Sequence, residues 1–172
     1  EYVELYNPTN SAVTINDSNF KMKGTSGSSL YTISITWINN IVPSKGFFLM
    51  ANTTSVDPGT GAVGADAYWA SGSSIHVVNG GAGISDNSDN WIDRLSWSGF
   101  SSDCTEGTPL AVDCESGKSY ERRPYPAAAV PSANGNAYDS DNNFWDFALA
   151  TTLNPQNSAS ATETPNGGKV YG

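Results

Sequence analysis

Alternation of apolar and polar residues in short runs is the feature that most restricts the fold of this chain. Between Tyr31 and Trp37, apolar side chains occupy every second position, with Thr and Ser between them. Because successive side chains of a strand point to opposite faces, this pattern predicts a half-buried β-strand. Helical periodicity is almost absent, and clusters of Gly, Asn, Ser and Pro separate the runs. The sequence therefore predicts an all-β protein.

A second strand signal is a continuous apolar run. Phe47–Ala51 follows a turn that ends at Gly46, which is typical of a central strand. The other predicted strands cover residues 1–6, 75–78, 91–97 and 120–123, with a short strand from residue 84. Strands without intervening helices predict a β-sandwich, and a closed barrel is the alternative. Residues 124–143, rich in Ala, Pro and Asn, predict a long irregular segment over the sandwich surface.

The charge of the chain limits its partners. The formal net charge is −9, and only 15% of the 172 residues are charged. An acidic surface repels nucleic-acid phosphates and anionic lipids, so we expect no nucleic-acid binding and favour cations and neutral sugars. No apolar run reaches the roughly 20 residues of a membrane span, so no membrane insertion is predicted. A polar surface of Asn, Ser, Thr and Gly is common in secreted β-proteins, and predicts an extracellular or cell-surface location.

The two cysteines lie close together in the sequence. Cys104 and Cys114 flank a stretch with Gly107 and Pro109, which predicts a loop able to bring them together. We expect a disulfide that closes this loop, which implies an oxidising compartment. The alternative is a pair of thiols. A structural zinc site is not expected, because it requires four ligands and the single histidine, His76, is remote in sequence.

An acidic cluster near residue 140 is a candidate calcium site. Asp139, Asp141 and Asn143 place oxygen ligands at alternate positions, and Asp146 adds another. The cluster lacks the glycine and the distal glutamate of an EF-hand loop. The alternative is an Asx-turn loop whose side chains cap their own backbone. A similar cluster at residues 86–90 lies where a hairpin turn is expected, and the capping interpretation is stronger there.

Aromatic side chains suggest a second kind of binding. Exposed tryptophans stack on sugar rings, and two exposed coplanar tryptophans would indicate a glycan platform. The candidates are Trp69, Trp91, Trp97 and Trp145. The favoured alternative is that they fill the core of the sandwich, where large aromatic residues contribute most of the burial.

Catalytic and modified residues are less clearly indicated. His76 is the one histidine and lies in a predicted strand, so no Ser-His-Asp triad is supported and no catalytic residue is predicted. Paired carboxylates discriminate little in so acidic a chain. Asn16 and Asn52 each begin an Asn-X-Ser/Thr triplet, the acceptor pattern for N-glycosylation.

Six segments of the chain, in order, carry a family resemblance. They are residues 1–8 (EYVELYNP), 42–50 (VPSKGFFLM), 78–81 (VNGG), 90–95 (NWIDRL), 119–122 (SYER) and 154–158 (NPQNS). Together they resemble the lamin-tail domain in its bacterial and archaeal secreted form. The resemblance implies an immunoglobulin-like β-sandwich over residues 1–158, followed by a linker or flexible tail over residues 159–172.

The resemblance also implies what kind of function to expect. The family has no common catalytic site and occurs as an accessory module on secreted enzymes, on surface proteins and in nuclear filaments. An N-terminal strand usually precedes the one that begins at Glu1. Its absence predicts either a fragment or a subunit whose sandwich a neighbour completes by donating a strand. We expect the side chain of Arg122 to reach an acidic partner such as Asp146.

Three functions follow, in order of preference. The first is a non-catalytic extracellular structural or adhesion module, a subunit of a surface or filamentous assembly held by protein–protein contacts. The second is a glycan- or calcium-binding accessory module of a larger secreted enzyme. The third is an enzyme that acts through carboxylates.

Overall fold

The computed structural model describes residues 1–26, 29–70, 72–98, 103–130 and 135–165, and nearly all its regular structure is β. In chain order, the strands are β1 (Tyr2–Tyr6), β2 (Val13–Thr14), β3 (Lys21–Ser26), β4 (Ser29–Ile33), β5 (Ile35–Trp37), β6 (Ile41–Val42), β7 (Phe47–Ala51), β8 (Ser55–Val56), β9 (Val63–Gly64), β10 (Ala67–Trp69), β11 (Gly81–Ser85), β12 (Trp91–Ser96), β13 (Ser119–Arg122) and β14 (Phe147–Ala150). A single turn of helix, α1 (Asn143–Asp146), precedes β14.

Two four-stranded sheets form the body of the molecule. The first has the order β1-β7-β10-β5 and the second the order β12-β11-β3-β4. Their inner faces share one hydrophobic core, to which Phe48 and Trp69 contribute from the first sheet and Met22 and Ile33 from the second. The predicted all-β sandwich is therefore confirmed. The finer prediction of an immunoglobulin-like topology stays a prediction.

The centre of the first sheet is β7. Every residue of Phe47–Ala51 is buried, which confirms the central strand expected from its continuous apolar run. It pairs antiparallel with β1, from Tyr2 opposite Ala51 to Tyr6 opposite Phe47, and parallel with β10. A strand that pairs on both sides and packs against the core has no solvent-exposed face. Its sequence therefore lacks the alternation of apolar and polar residues.

The alternating run from Tyr31 to Trp37 forms two strands rather than one. The chain leaves the second sheet after Ile33 and enters the first at Ile35, so the ladder is interrupted at Ser34. A strand that switches sheets in this way forms a corner of the sandwich. Alternation continues through the corner because both halves bury one face against the same core.

The strand predicted over residues 75–78 was wrong. These residues form a loop, although Ile75 is only 8% exposed and the N–H of His76 donates to the carbonyl of Thr25. The loop folds back tightly, so that a Cβ added at Gly80 would lie 1.7 Å from the His76 carbonyl oxygen. The apolar residues are thus anchored by burial and not by a ladder.

The irregular segment expected over residues 124–143 is confirmed for the part that the structure describes. Within 124–130 and 135–142, the only pairing is an isolated bridge from Gly135 to Pro165. The segment leads into α1 and β14, and β14 pairs with β13 in a small separate sheet. None of the described helical residues forms a segment long and apolar enough to cross a bilayer.

Candidate functional site

Strand β1 lies at an edge of the first sheet, and two backbone hydrogen bonds show which of its residues bond to β7. The N–H of Asn7 donates to the Gly46 carbonyl at 2.9 Å, and that of Asn52 donates to the Glu1 carbonyl at 3.1 Å. In an antiparallel ladder such bonded pairs recur at every second residue. Odd-numbered residues of β1 therefore face β7, and the even-numbered ones direct their N–H and C=O groups outward.

The outward groups belong to Tyr2, Glu4 and Tyr6. Within the described ranges, the backbone of β1 pairs with β7 and with no other strand. Three N–H and C=O pairs thus lie along an edge that lacks a ladder partner. We call this row of backbone groups the β1 edge.

The side chains of Glu4 and Tyr6 are held on the outer face by the C-terminal segment, residues 154–165. The Oε2 atom of Glu4 accepts from the N–H of Gln156 at 2.6 Å, and the Tyr6 hydroxyl donates to the Glu163 carbonyl at 2.6 Å. Residues 159–165, predicted as the start of a flexible tail, pack here through the Glu163 N–H and the Lys45 carbonyl. Residues 166–172 of that tail lie outside the described residues. These contacts are made by side chains of β1, and no strand in the described ranges pairs with its outer edge.

Burial changes the acidity of this face. It raises the pKa of Glu4 to about 8, helped by the nearby carboxylates of Glu121 and Glu163 and opposed by the Gln156 hydrogen bond. The same cause raises the pKa of Tyr6 to about 12. The Glu4 carboxyl is accordingly held in its neutral form near pH 7.

A buried aspartate anchors the same C-terminal segment at the other side of β7. Asp66 is 6% exposed, and its Oδ2 atom accepts from the N–H groups of Leu49 and Ser158, both at 2.9 Å. Next to it, the Asn157 amide donates to the Gly64 carbonyl at 2.8 Å. The segment is thereby fixed to the sheet at several points along its length.

The edge strand β12 of the second sheet is covered at its C-terminal end, at Arg94 and Ser96. The Asn143 side chain accepts from the Ser96 N–H at 3.1 Å and donates to the Arg94 carbonyl at 2.9 Å, as a neighbouring peptide would. The next carbonyl, that of Ser96, accepts from the Leu110 N–H at 2.9 Å. The two sheets therefore differ in how they treat an edge strand.

An arginine organises the acidic cluster predicted as a calcium site. Nη2 of Arg122 lies 2.5 Å from Asp93, and Nη1 lies 3.3 Å from Asp139 and 3.7 Å from Asp146. The guanidinium also stacks over the Phe147 ring, 4.4 Å from its centroid. The expected pairing of Arg122 with Asp146 is confirmed. Burial lowers the pKa of Arg122, but the surrounding carboxylates, led by Asp93, outweigh it and raise the pKa.

The four predicted calcium ligands do not all come together. Asp139 and Asp146 meet Glu106, with carboxylate oxygens within 4.8 Å of one another. The Asn143 oxygen is instead taken by backbone N–H groups, and Asp141 is exposed. The Asp139 side chain accepts from the Asp141 N–H at 3.2 Å, as the Asx-turn alternative expected, and the Asp146 carboxylate accepts from the N–H groups of Ser140 and Asn142. Calcium binding stays a prediction. Arg122 already supplies a positive charge to this cluster.

Sequence reasoning missed Glu106. It is 33 residues from Asp139 in the chain, and nothing in its neighbours signals the cluster. Burial, with the Asp93 carboxylate, raises its pKa to about 7.

The second acidic cluster caps its own turn. Asp86 accepts from the N–H groups of Ser88 and Asn90 at 2.8 and 2.9 Å, as expected for an Asx turn. Asp89 forms ion pairs with Lys21 and Lys23 on β3, at 3.1 and 2.6 Å. Both carboxylates are engaged in holding the β11–β12 hairpin.

The disulfide predicted between Cys104 and Cys114 is wrong for this structure, in which both are thiols. Cys104 is fully buried, and burial raises its pKa to about 12. Cys114 is half-buried, with its sulfur 3.5 Å from the Lys118 carbonyl. Leu110 lies between them and bridges to Trp97, so the loop spreads along the sandwich and does not close on itself.

The four candidate tryptophans separate into core and surface. Trp69 and Trp97 are 0% and 5% exposed and lie in the core, and Trp91 is half-buried with the Arg94 guanidinium 5.4 Å from its ring. Trp145 is 62% exposed and stands perpendicular to Phe144, with ring centroids 5.0 Å apart. The sugar platform of coplanar tryptophans is therefore not formed, but one large aromatic surface is open.

The remaining candidates have ordinary local roles. The Asn16 side chain accepts from the Ser18 N–H at 2.8 Å, and that of Asn52 accepts from the amino group of Glu1 at 3.1 Å. Both asparagines are half-buried, and their glycosylation stays a prediction. His76 is exposed, with Nδ1 2.5 Å from the Val78 carbonyl.

Comparison with protein-family models, with curated proteins and with solved structures finds no match to this chain. The lamin-tail resemblance therefore rests on the six segments alone.

Proposed function

We propose that this chain is a non-catalytic extracellular structural or adhesion module of the lamin-tail type, which joins its neighbours by strand addition at the β1 edge. The observation that carries the proposal is the outward row of backbone groups on Tyr2, Glu4 and Tyr6. An added strand satisfies these groups with main-chain hydrogen bonds, which need no particular side chains on the partner.

The contrast between the two sheets supports this assignment. An edge strand with unpaired backbone groups invites aggregation, and proteins protect such strands with charge, proline, bulges or a covering segment. The edge of β12 is covered at Arg94 and Ser96 by Asn143 and Leu110. The β1 strand has neither lysine nor proline, and Glu4 lies against the C-terminal segment. An edge left unprotected in a protein that protects another is suited to a partner strand.

A proline at position 4 tests the proposal. The Glu4→Pro variant removes one outward N–H and keeps the odd-numbered bonds to β7, and edge strands tolerate proline. Glu4→Ala is the matched control, because both variants lose the carboxylate and only one loses the N–H. We expect assembly, followed by light scattering and electron microscopy, to fall at least tenfold in Glu4→Pro relative to Glu4→Ala. Tyr2→Pro, compared with Tyr2→Ala, repeats the comparison at the start of the strand.

Two results would contradict strand addition. One is equal assembly of the proline and alanine variants, with both folded by circular dichroism. The other is a native chain that stays monomeric at every concentration measured.

The alternative, an accessory module of a larger secreted enzyme, has unequal support for its two ligands. Glycan binding is favoured by the exposure of Phe144 and Trp145. Calcium binding is less favoured, because the guanidinium of Arg122 already lies between Asp139 and Asp146.

A further inference from the structure

In the short helix α1 the usual burial pattern is reversed, because its polar side chains are buried and its aromatic side chains are exposed. Asn143 and Asp146 are fully buried, whereas Phe144 and Trp145 are 44% and 62% exposed. Burying a large aromatic side chain stabilises a fold by about 1.5–3 kcal/mol relative to leaving it in water. That stabilisation is largely forgone at two adjacent positions.

The backbone of α1, which carries the exposed rings, is anchored at both ends. The Asn143 amide bonds to the backbone of Ser96, Glu106 and Arg94, and the Asp146 carboxylate bonds to Ser140 and Asn142. The helix also begins at a capped residue, since Asn142 accepts from the Phe144 N–H at 3.2 Å. A rigid support reduces the entropy that a binding site loses when it takes a ligand.

Size and charge restrict the ligand. A stable protein interface buries about 800 Å² on each partner, far more than two rings provide, and the residues that anchor α1 are polar. A net charge of −9 disfavours anionic lipids and nucleic acids, the other common partners of exposed aromatic residues. A neutral sugar is not repelled, and its size matches one indole ring.

We propose that Phe144 and Trp145 form a binding site for the C–H face of a neutral sugar ring. The indole face carries the negative part of the aromatic quadrupole, which attracts the weakly positive C–H hydrogens of a pyranose. Phe144, perpendicular to Trp145 at 85°, forms the wall of the corner in which the ring stacks. The site shares no residue with the β1 edge, so the inference does not rest on strand addition.

Affinity electrophoresis tests the proposal, because the acidic protein migrates readily in native gels. Gels containing hydroxyethylcellulose, laminarin, galactomannan or soluble starch are compared with a gel without polysaccharide. We expect retardation by at least one of the four and at least a tenfold loss of affinity in Trp145→Ala. Ile92→Ala is the matched control, because Ile92 is 58% exposed on β12, and it should bind like the native chain.

The thermal midpoint of unfolding checks the fold. Replacing an exposed residue such as Trp145 should leave this midpoint nearly unchanged. The proposal is overturned if none of the four polysaccharides retards the native chain. It is equally overturned if Trp145→Ala binds like the native chain, or if this change alters self-association and leaves glycan binding intact.

Discussion

At the scale of single residues, the structure depends on a few polar side chains that each join several segments. Arg122 connects β12, the loop before α1 and β14 through Asp93, Asp139 and the Phe147 ring. A buried charge is costly unless it is paired, and each of its partners lies on a different segment. The acidic residues near position 140 therefore surround a cation that the chain itself supplies, the guanidinium of Arg122.

Replacing Arg122 by methionine should destabilise the protein by about 3–5 kcal/mol, because the side chain is 12% exposed and its loss leaves the buried Asp146 carboxylate and the part-buried Asp93 and Asp139 carboxylates without a counter-charge. Methionine keeps the length of the stem, so the loss reports the charge. Urea denaturation measures the effect. Asp141→Asn is the control, since this exposed carboxylate should contribute less than about 1 kcal/mol. Equal stabilities of the two variants would show that Arg122 does not organise the cluster.

At the scale of the elements, the edge strands β1 and β12 differ in which groups satisfy their outward backbone N–H and C=O groups. On β12, a side chain from α1 takes the role of a neighbouring strand. On β1, the C-terminal segment holds the side chains of the outer face but not the edge groups. For this reason we place the proposed strand addition at the first sheet.

Asn143→Ala should lower the free energy of unfolding by at least about 2 kcal/mol, because it leaves the Ser96 N–H, the Glu106 N–H and the Arg94 carbonyl without their partner at about 1–3 kcal/mol each. It should also increase aggregation by opening the β12 edge. Urea denaturation and light scattering measure the two effects. Asn10→Ala, at an exposed loop position, is the control. Unchanged aggregation in Asn143→Ala would mean that this edge needs no protection.

Sequence reasoning recovered elements in proportion to how locally they are determined. The strands Phe47–Ala51 and Trp91–Ser96 were predicted because the pattern of apolar residues along a strand indicates whether one or both of its faces are buried. The loop at residues 75–78 has the same apolar character and was assigned wrongly, because its tight reversal depends on Thr25 and Gly80. Of the candidate sites, Asp139 and Asp146 were found, and Glu106 was missed because only the fold brings it there.

At the scale of the whole molecule, burial of carboxyl groups determines how stability depends on pH. The folded-state pKa values of Glu4 and Glu106 are raised by burial to about 8 and about 7. Both carboxyls return to ordinary values near 4.5 when the chain unfolds. A raised pKa contributes stability that is fully present below the unfolded value and is lost as pH rises through the folded value.

Stability should therefore fall by several kcal/mol as the pH rises from about 4.5 to about 8, since each unit by which a carboxyl pKa is raised corresponds to about 1.4 kcal/mol. Urea denaturation across this range measures it. Glu4→Gln, which keeps an acceptor for the Gln156 N–H, should flatten the upper part of the curve. A stability that rises from pH 5 to pH 8 in the native chain would contradict the burial of these carboxyls.

The sequence by itself determined the fold class, the central strand and the acidic character of the surface, because alternation, continuous apolar runs and charge are properties of neighbouring residues. Only the tertiary structure decided that β1 lies at a sheet edge, where Arg122 finds its carboxylates, that the two cysteines remain thiols and that Trp145 faces solvent. Each of these depends on segments that are distant in the chain and meet only when the two sheets pack around a shared core.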